Sequence, residues 1–95
     1  MNGARLMSDT IKFIACTFSA GMLPSEYSVT IHPEGKELSL FAPKSFVRES
    51  VGKEGKGFLE VQIIDPKHNV IALPSEVMET GRRFIEYPLN RLVSA

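Results

Sequence analysis

The stretch EYSVTIH, residues 26–32, decides the fold that this sequence predicts. Its apolar residues stand at every second position with polar residues between them, which is the pattern of a half-buried β-strand. The next four residues, PEGK at 33–36, have the composition of a tight turn in which the glycine takes a positive φ. Residues 37–42 return to the strand pattern, so residues 26–42 predict a β-hairpin.

Three further segments have strand character. Residues 58–73 contain two apolar runs separated by the turn-forming sequence PKHN, and they predict a second hairpin. Residues 11–19 are apolar on both alternating faces, which is typical of a strand that is covered on both sides. Residues 82–87 predict a last strand. The sequence therefore predicts five or six short strands.

Irregular segments connect these strands. Residues 45–49 and 75–81 each begin with a serine suited to a helix N-cap, so each predicts one short helical turn. Three glycines between positions 52 and 57 predict a flexible loop. Residues 88–92 predict a short 3₁₀ or helical turn that brings two leucines into the core. Together these features predict an all-β fold, a small five- to six-stranded SH3-like barrel or half-open roll with one or two short helical turns.

A chain of 95 residues has room for one hydrophobic core and therefore for one domain. Residues 1–9 carry no periodic pattern and are expected to form a flexible N-terminal extension, with either Met1 or Met7 as the natural start. Residues 10–95 are expected to form the single small β-barrel domain. Its predicted core consists of Phe13, Ala15, Val29, Ile31, Leu40, Leu59, Val61, Ile63, Ala72, Phe84 and Leu92.

Composition restricts the location of the protein. The single cysteine, Cys16, excludes an intramolecular disulfide, so nothing requires an oxidising compartment. Residues 13–16 resemble a lipoprotein cleavage site, but the polar residues between positions 8 and 12 interrupt the apolar run that a signal peptide needs. The apolar run from residue 13 to residue 23 is shorter than the ~20 residues of a membrane span. We expect a cytoplasmic protein that does not enter a membrane.

No motif in the sequence indicates a particular reaction, metal or cofactor. The glycine-rich residues 52–57 lack the lysine–hydroxyl pair of a phosphate-binding loop, and a strand follows them where such a loop needs a helix. His32, His68 and Cys16 do not have the short pair spacing of a zinc site. Cys16 stands among apolar residues, where burial raises the pKa of a thiol and makes it unreactive. We therefore expect a protein that is not an enzyme and that has neither cofactor nor metal.

The remaining classes of function are binding functions. An open barrel leaves unpaired strand edges that can accept a peptide, so another protein is the expected partner. Four apolar residues in predicted turn regions are the candidate partner surface: Met22, Leu23, Met78 and Tyr87.

The alternative is a weak RNA or nucleotide binder. Its candidate phosphate contacts are Lys53, Lys56, Arg82 and Arg83, which stand near aromatic residues in the sequence. The chain has 11 basic and 11 acidic residues, however, and a formal net charge of zero weighs against nucleic acid as the main partner.

Overall fold

The computed structural model describes residues 10–94. It confirms the all-β prediction, with seven strands in these residues and helical structure only in three short 3₁₀ turns. The strands are β1 (Ile11–Ala20), β2 (Glu26–Ile31), β3 (Leu38–Pro43), β4 (Val47–Glu49), β5 (Lys56–Asp65), β6 (Val70–Ala72) and β7 (Phe84–Glu86). The 3₁₀ turns are Lys44–Phe46, Pro66–His68 and Leu89–Arg91. The predicted N-terminal extension, residues 1–9, lies outside the described residues.

All seven strands belong to one antiparallel sheet that curls into a half-barrel. The strand order is β3-β2-β1-β5-β6-β7, and β4 pairs with β5 off this path. The two predicted hairpins are confirmed as β2–β3 and β5–β6. The long strands β1 and β5 pair over seven residues and form the centre of the sheet. The strands β3 and β7 lie at the two ends of this order, and the short strand β4 also has a partner on one side only.

The core lies on the concave face of the sheet. Its largest fully buried side chains come from five of the strands and the segments after β6 and β7, and they are Ile14, Val29, Ile31, Leu40, Leu59, Ile71, Leu73, Val77 and Tyr87. Leu89 and Leu92, beside the last 3₁₀ turn, pack partly buried against this core, as the sequence predicts.

Two residues of the predicted core, Ala15 and Phe84, lie instead on the outer face. Tyr87 is only 2% exposed and Ile85 packs against the core, so the alternation of side chains along a strand turns Phe84 outward. Phe84 is 57% exposed. Ala15 is exposed for the same reason, because its two neighbours in β1 are buried. The sequence therefore assigned both residues to the wrong face of their strands, as a shift of one residue in register would.

The prediction that β1 is covered on both faces holds only at its beginning. Phe13 is buried on the outer face, where the Arg48 guanidinium lies 4.3 Å from the centroid of its ring. Farther along β1, Ala15 and Thr17 are exposed on that face. The outer face of β1 is therefore covered near Phe13 and open farther along the strand.

Of the two predicted helical turns, the first is displaced to a 3₁₀ turn and the second is absent. Residues 44–46 form a 3₁₀ turn and residues 47–49 form the strand β4, because Val47 pairs with Leu59 and enters the core. Residues 75–81 form turns and bends without a helix. The predicted loop at 52–57 is also shorter than expected, since Lys56 and Gly57 belong to β5 and pair with β1.

The segment between β6 and β7 covers the outer edge of β3. The backbone N–H of Met78 donates to the carbonyl of Ser39 at 2.8 Å, and the backbone N–H of Ser39 donates to Glu79 Oε1 at 2.8 Å. The Ser75 hydroxyl donates to the carbonyl of Phe41 and does not cap a helix. The bond from Ser39 holds the pKa of the Glu79 carboxyl below its ordinary value. A segment of the chain itself therefore occupies the β3 edge.

Within residues 10–94, no helix has both the length and the apolar character needed to cross a membrane.

Candidate functional site

The second edge of the sheet, along β7, is unpaired. The N–H of Leu73 donates to the carbonyl of Arg83, and the N–H of Tyr87 donates to the carbonyl of Asn69, at 2.8 Å each. These two bonds set the alternation of hydrogen bonds between β7 and β6. In that alternation the N–H and C=O groups of Phe84 and Glu86 point away from β6. None of these four groups has a hydrogen-bond partner in the part of the chain that the structure describes. They are free to bind an added strand.

A cleft of about 600 Å³ lies along this edge. One wall is β7 itself, with Phe84 and Ile85, and the opposite wall includes the turn before β3 and Leu38 at the start of that strand. The volume falls within the range of roughly 300–1,000 Å³ that is typical of ligand sites. We call this site the β7 cleft. It lies where the half-barrel fails to close.

Charged residues line the β7 cleft in equal numbers of each sign. Glu34 and Glu86 are acidic, and Lys36 and Arg82 are basic. Their balance means that the cleft as a whole does not attract a strongly charged ligand of either sign.

Local hydrogen bonds hold the walls of the cleft in place. The turn before β3 is closed by a bond of 3.0 Å from the N–H of Lys36 to the carbonyl of Pro33, with Glu34 and Gly35 at positive φ. On the other side, Arg83 Nε donates to the carbonyl of Leu73 at 3.0 Å. The two walls are therefore formed before any ligand arrives.

The four residues of the predicted partner surface do not form one surface. Met22, Leu23 and Met78 are exposed, as a partner surface requires, but Tyr87 is buried in the core. Met78 bonds to Ser39, whereas Met22 and Leu23 lie in the turn beside the far end of β3. About four residues of strand, roughly 13 Å, separate these two places.

The four predicted phosphate contacts are also distributed over separate places. Lys53 precedes β5 and Lys56 begins it. Arg82 and Arg83 precede β7, which is joined through β6 to the opposite end of β5. Arg82 lines the β7 cleft, and Lys56 lines a second, smaller cavity. The structure does not bring these cations together.

His68 has a local role in a turn. Its Nδ1 lies 2.8 Å from Asp65 Oδ2, and Asp65 also accepts the N–H of Lys67, so the three residues form the turn between β5 and β6. The hydrogen bond with His68 holds the pKa of the Asp65 carboxyl below its ordinary value. In residues 10–94 no three His, Cys, Asp or Glu side chains are grouped so that they could hold a metal ion.

Cys16 is expected to react slowly with thiol reagents. It is buried, and burial raises the pKa of its thiol to about 11. At pH 8 the reactive thiolate is then about a hundredfold scarcer than for a free cysteine with an ordinary pKa of ~8.5. Labelling by Ellman's reagent should be at least about a hundredfold slower in the native protein than in urea. Equal rates in both states would contradict the burial of Cys16.

Comparison with protein families, with curated proteins and with solved structures finds no match to this chain. The SH3-like arrangement of the barrel therefore stays a prediction.

Proposed function

We propose that this protein is a non-catalytic binding module that takes up an extended segment of a partner protein as an additional strand along β7. The observation that carries the proposal is the coincidence of two features: the unpaired backbone groups of Phe84 and Glu86, and the cleft that runs beside them. The proposal keeps the cytoplasm as the location and the small SH3-like barrel as the architecture.

The β7 edge is a better docking edge than β3. A sheet that is not closed has unpaired edges, and an exposed edge tends to pair with another chain. Here Met78, Glu79 and Ser75 already satisfy backbone groups of β3. Strand addition at β3 would have to displace them, whereas β7 offers its groups without any displacement.

The expected affinity is modest. An added strand can form up to four hydrogen bonds with Phe84 and Glu86, each with a net contribution of about 1 kcal/mol. One apolar side chain buried in the cleft adds roughly 1.5–3 kcal/mol. Before the entropy lost on association is subtracted, these contributions correspond to a dissociation constant of about 10–100 μM, so we expect a weak, transient complex.

The cleft also indicates the kind of segment that fits. Side chains on an added strand alternate, so every second one faces the cleft and should be apolar, to contact Leu38 and Phe84. Because the charges of the cleft are balanced, a segment of low net charge is favoured over a strongly acidic or basic one. No observation favours nucleic acid as the partner through Lys53, Lys56, Arg82 and Arg83.

Glu86→Pro is expected to abolish most of the peptide binding without unfolding the protein. Proline removes the N–H of residue 86, which points away from β6, and proline is tolerated on an edge strand. The probe is a peptide selected from a displayed library of random sequences, about 12 residues long, on the wild-type protein. Its affinity, measured by fluorescence anisotropy, should fall at least about tenfold in Glu86→Pro, since hydrogen bonds along the edge are lost.

Glu86→Ala is the matched control. It removes the same carboxylate but keeps the backbone N–H, so its affinity for the selected peptide should stay within about threefold of wild type. In an amide chemical-shift map, the peptide should shift Phe84 and Glu86 more than the exposed Met22 or Met78. Equal binding to Glu86→Pro and wild type, or failure to select any peptide, would overturn the proposed function.

A further inference from the structure

On the side of β1 that pairs with β2, one residue, Ala15, has no backbone partner because β2 ends before reaching it. The N–H of Gly21 donates to the carbonyl of Glu26, so every second residue of β1 counted back from Gly21 directs its backbone groups toward β2. In this series Thr17 lies opposite Thr30, and the next pair is Ala15 opposite His32. The last of these pairs is not hydrogen-bonded. Instead, the carbonyl of His32 accepts a bond of 3.4 Å from Arg91 Nη2.

Beyond Ala15, the C-terminal segment pairs with the same edge of β1. Phe13 and Val93 exchange two backbone hydrogen bonds of 2.8 Å each, so the C-terminal segment pairs with β1 two residues away from Ala15. Ala15 is exposed, and across residues 10–94 its N–H and C=O have no hydrogen-bond partner. The sheet therefore contains a one-residue gap with a free backbone donor.

A cavity of about 270 Å³ lies at this gap. Its lining consists of Ala15, Cys16, Thr17, His32, Lys56 and Arg91. Two of these residues carry permanent positive charges, one is a histidine, and none is a carboxylate. The Glu37 carboxylate does not line the cavity, but its Oε1 lies 3.5 Å from His32 Nε2 and offsets the charge of that histidine when it is protonated. Lys56 and Arg91 form no ion pair within residues 10–94, so these two cations leave a local excess of positive charge.

The two cations are held in place by different elements. Arg91 ends the last 3₁₀ turn, its guanidinium lies 5.0 Å from the centroid of the Tyr87 ring, and one of its donors binds the carbonyl of His32. Arginine has five N–H donors, so others remain for a ligand. Lys56 begins β5, where it pairs with Thr17. A flexible loop supplies neither of them.

We propose that this cavity binds a phosphate-sized oxyanion, carried either by free phosphate or by a small phosphomonoester. Arg91 and Lys56 supply the positive charge, and the Ala15 N–H and the Thr17 hydroxyl supply neutral donors. Donors from several directions suit a tetrahedral anion, which has acceptor oxygens on all sides. The cavity volume corresponds to several water molecules at ~30 Å³ each, enough for such an anion. This site is distinct from the β7 cleft and does not depend on the proposed function.

The test is a titration with inorganic phosphate at pH 7 and constant ionic strength, followed by amide chemical shifts. The expected result is a saturable shift of Ala15, Thr17 and His32. Lys56→Ala should weaken the affinity about tenfold, which is the effect of losing one charge-assisted hydrogen bond. Lys53→Ala is the matched control, since Lys53 has the same charge three residues away and does not line the cavity. Its affinity should equal that of wild type.

Two further probes test whether the site prefers a phosphomonoester or a phosphodiester. Phenyl phosphate, a phosphomonoester, should bind with an affinity similar to that of inorganic phosphate. Dimethyl phosphate has the single charge of a nucleic-acid backbone and should bind more weakly. Tighter binding of dimethyl phosphate would point to nucleic acid and overturn the proposal. Shifts that rise linearly without saturation, or that are equal in wild type and Lys56→Ala, would overturn it as well.

Discussion

Replacing Leu59 with alanine is expected to lower the free energy of unfolding by roughly 3–5 kcal/mol. Leu59 is fully buried in the central strand β5, where it lies opposite Ile14 on one side and Val47 on the other. The loss has two components, the removed apolar surface and the cavity that the rigid neighbours cannot fill. A domain of this size has a total stability of about 5–14 kcal/mol, so the variant is expected to be marginally folded. Urea denaturation followed by circular dichroism measures the change.

Phe84→Ala is the control for this prediction. It removes a larger side chain, but Phe84 is more than half exposed, so the loss should stay below about 1.5 kcal/mol. The order of the two effects tests the register of β7 as well as the core. A loss at Phe84 equal to that at Leu59 would show that Phe84 faces inward, as the sequence alone predicts.

Gly57→Ala is expected to destabilise the protein by about 3 kcal/mol or more, or to prevent folding altogether. Gly57 lies in β5 between Cys16 of β1 and Glu49 of β4. A Cβ atom at this position would overlap the backbone carbonyl oxygen of Arg48. Backbone cannot move aside as a flexible side chain can, so β4 would have to separate from β5. Urea denaturation, or loss of amide dispersion if the variant does not fold, measures the effect.

Gly52→Ala separates this steric effect from the general cost of replacing a glycine. Gly52 has a φ of 75°, but a methyl group at this position would have no neighbouring atom within 4 Å, so only backbone strain opposes the change. That strain costs roughly 1–2 kcal/mol. If the two variants were equally stable, the close approach of Arg48 to Gly57 would have no energetic consequence.

The two hairpins could be predicted because the residues that determine them are close together in the sequence. The turn from Pro33 to Lys36 and the turn at Asn69 contain residues that tolerate positive φ, and apolar alternation marks the strands on both sides. Within each hairpin, the partner strand is the next one in sequence. No distant contact is needed to recognise it.

Of the two predicted helical turns, one is displaced and the other is absent, because distant contacts override local propensity there. Ser75 has the chemistry of an N-cap, but its hydroxyl finds an acceptor in Phe41, 34 residues earlier in the chain. Val47 stands in a stretch with a capping serine, but burial against β5 gives it a strand conformation. Neither partner is visible in the local sequence.

The candidate sites, like the fold, depend partly on local sequence patterns and partly on contacts between distant residues. A strand edge as the docking element could be predicted from an open barrel, but which edge stays free depends on residues 75–79 folding over β3. His32 and Arg91 were not predicted as a pair, because 59 residues separate them in the chain. The charge of Arg91 was a visible signal, while its place beside the gap at Ala15 was not.

By itself, the sequence determined the all-β class, the two hairpins and the single core, because alternation and turn chemistry act over a few neighbouring residues. Only the tertiary structure decided that Phe84 faces the solvent, that β4 is a strand, that β3 is covered and that β7 is free. Each of these depends on which of two faces or two edges meets a distant segment. A local pattern is compatible with either choice, and the packing of the whole chain selects one.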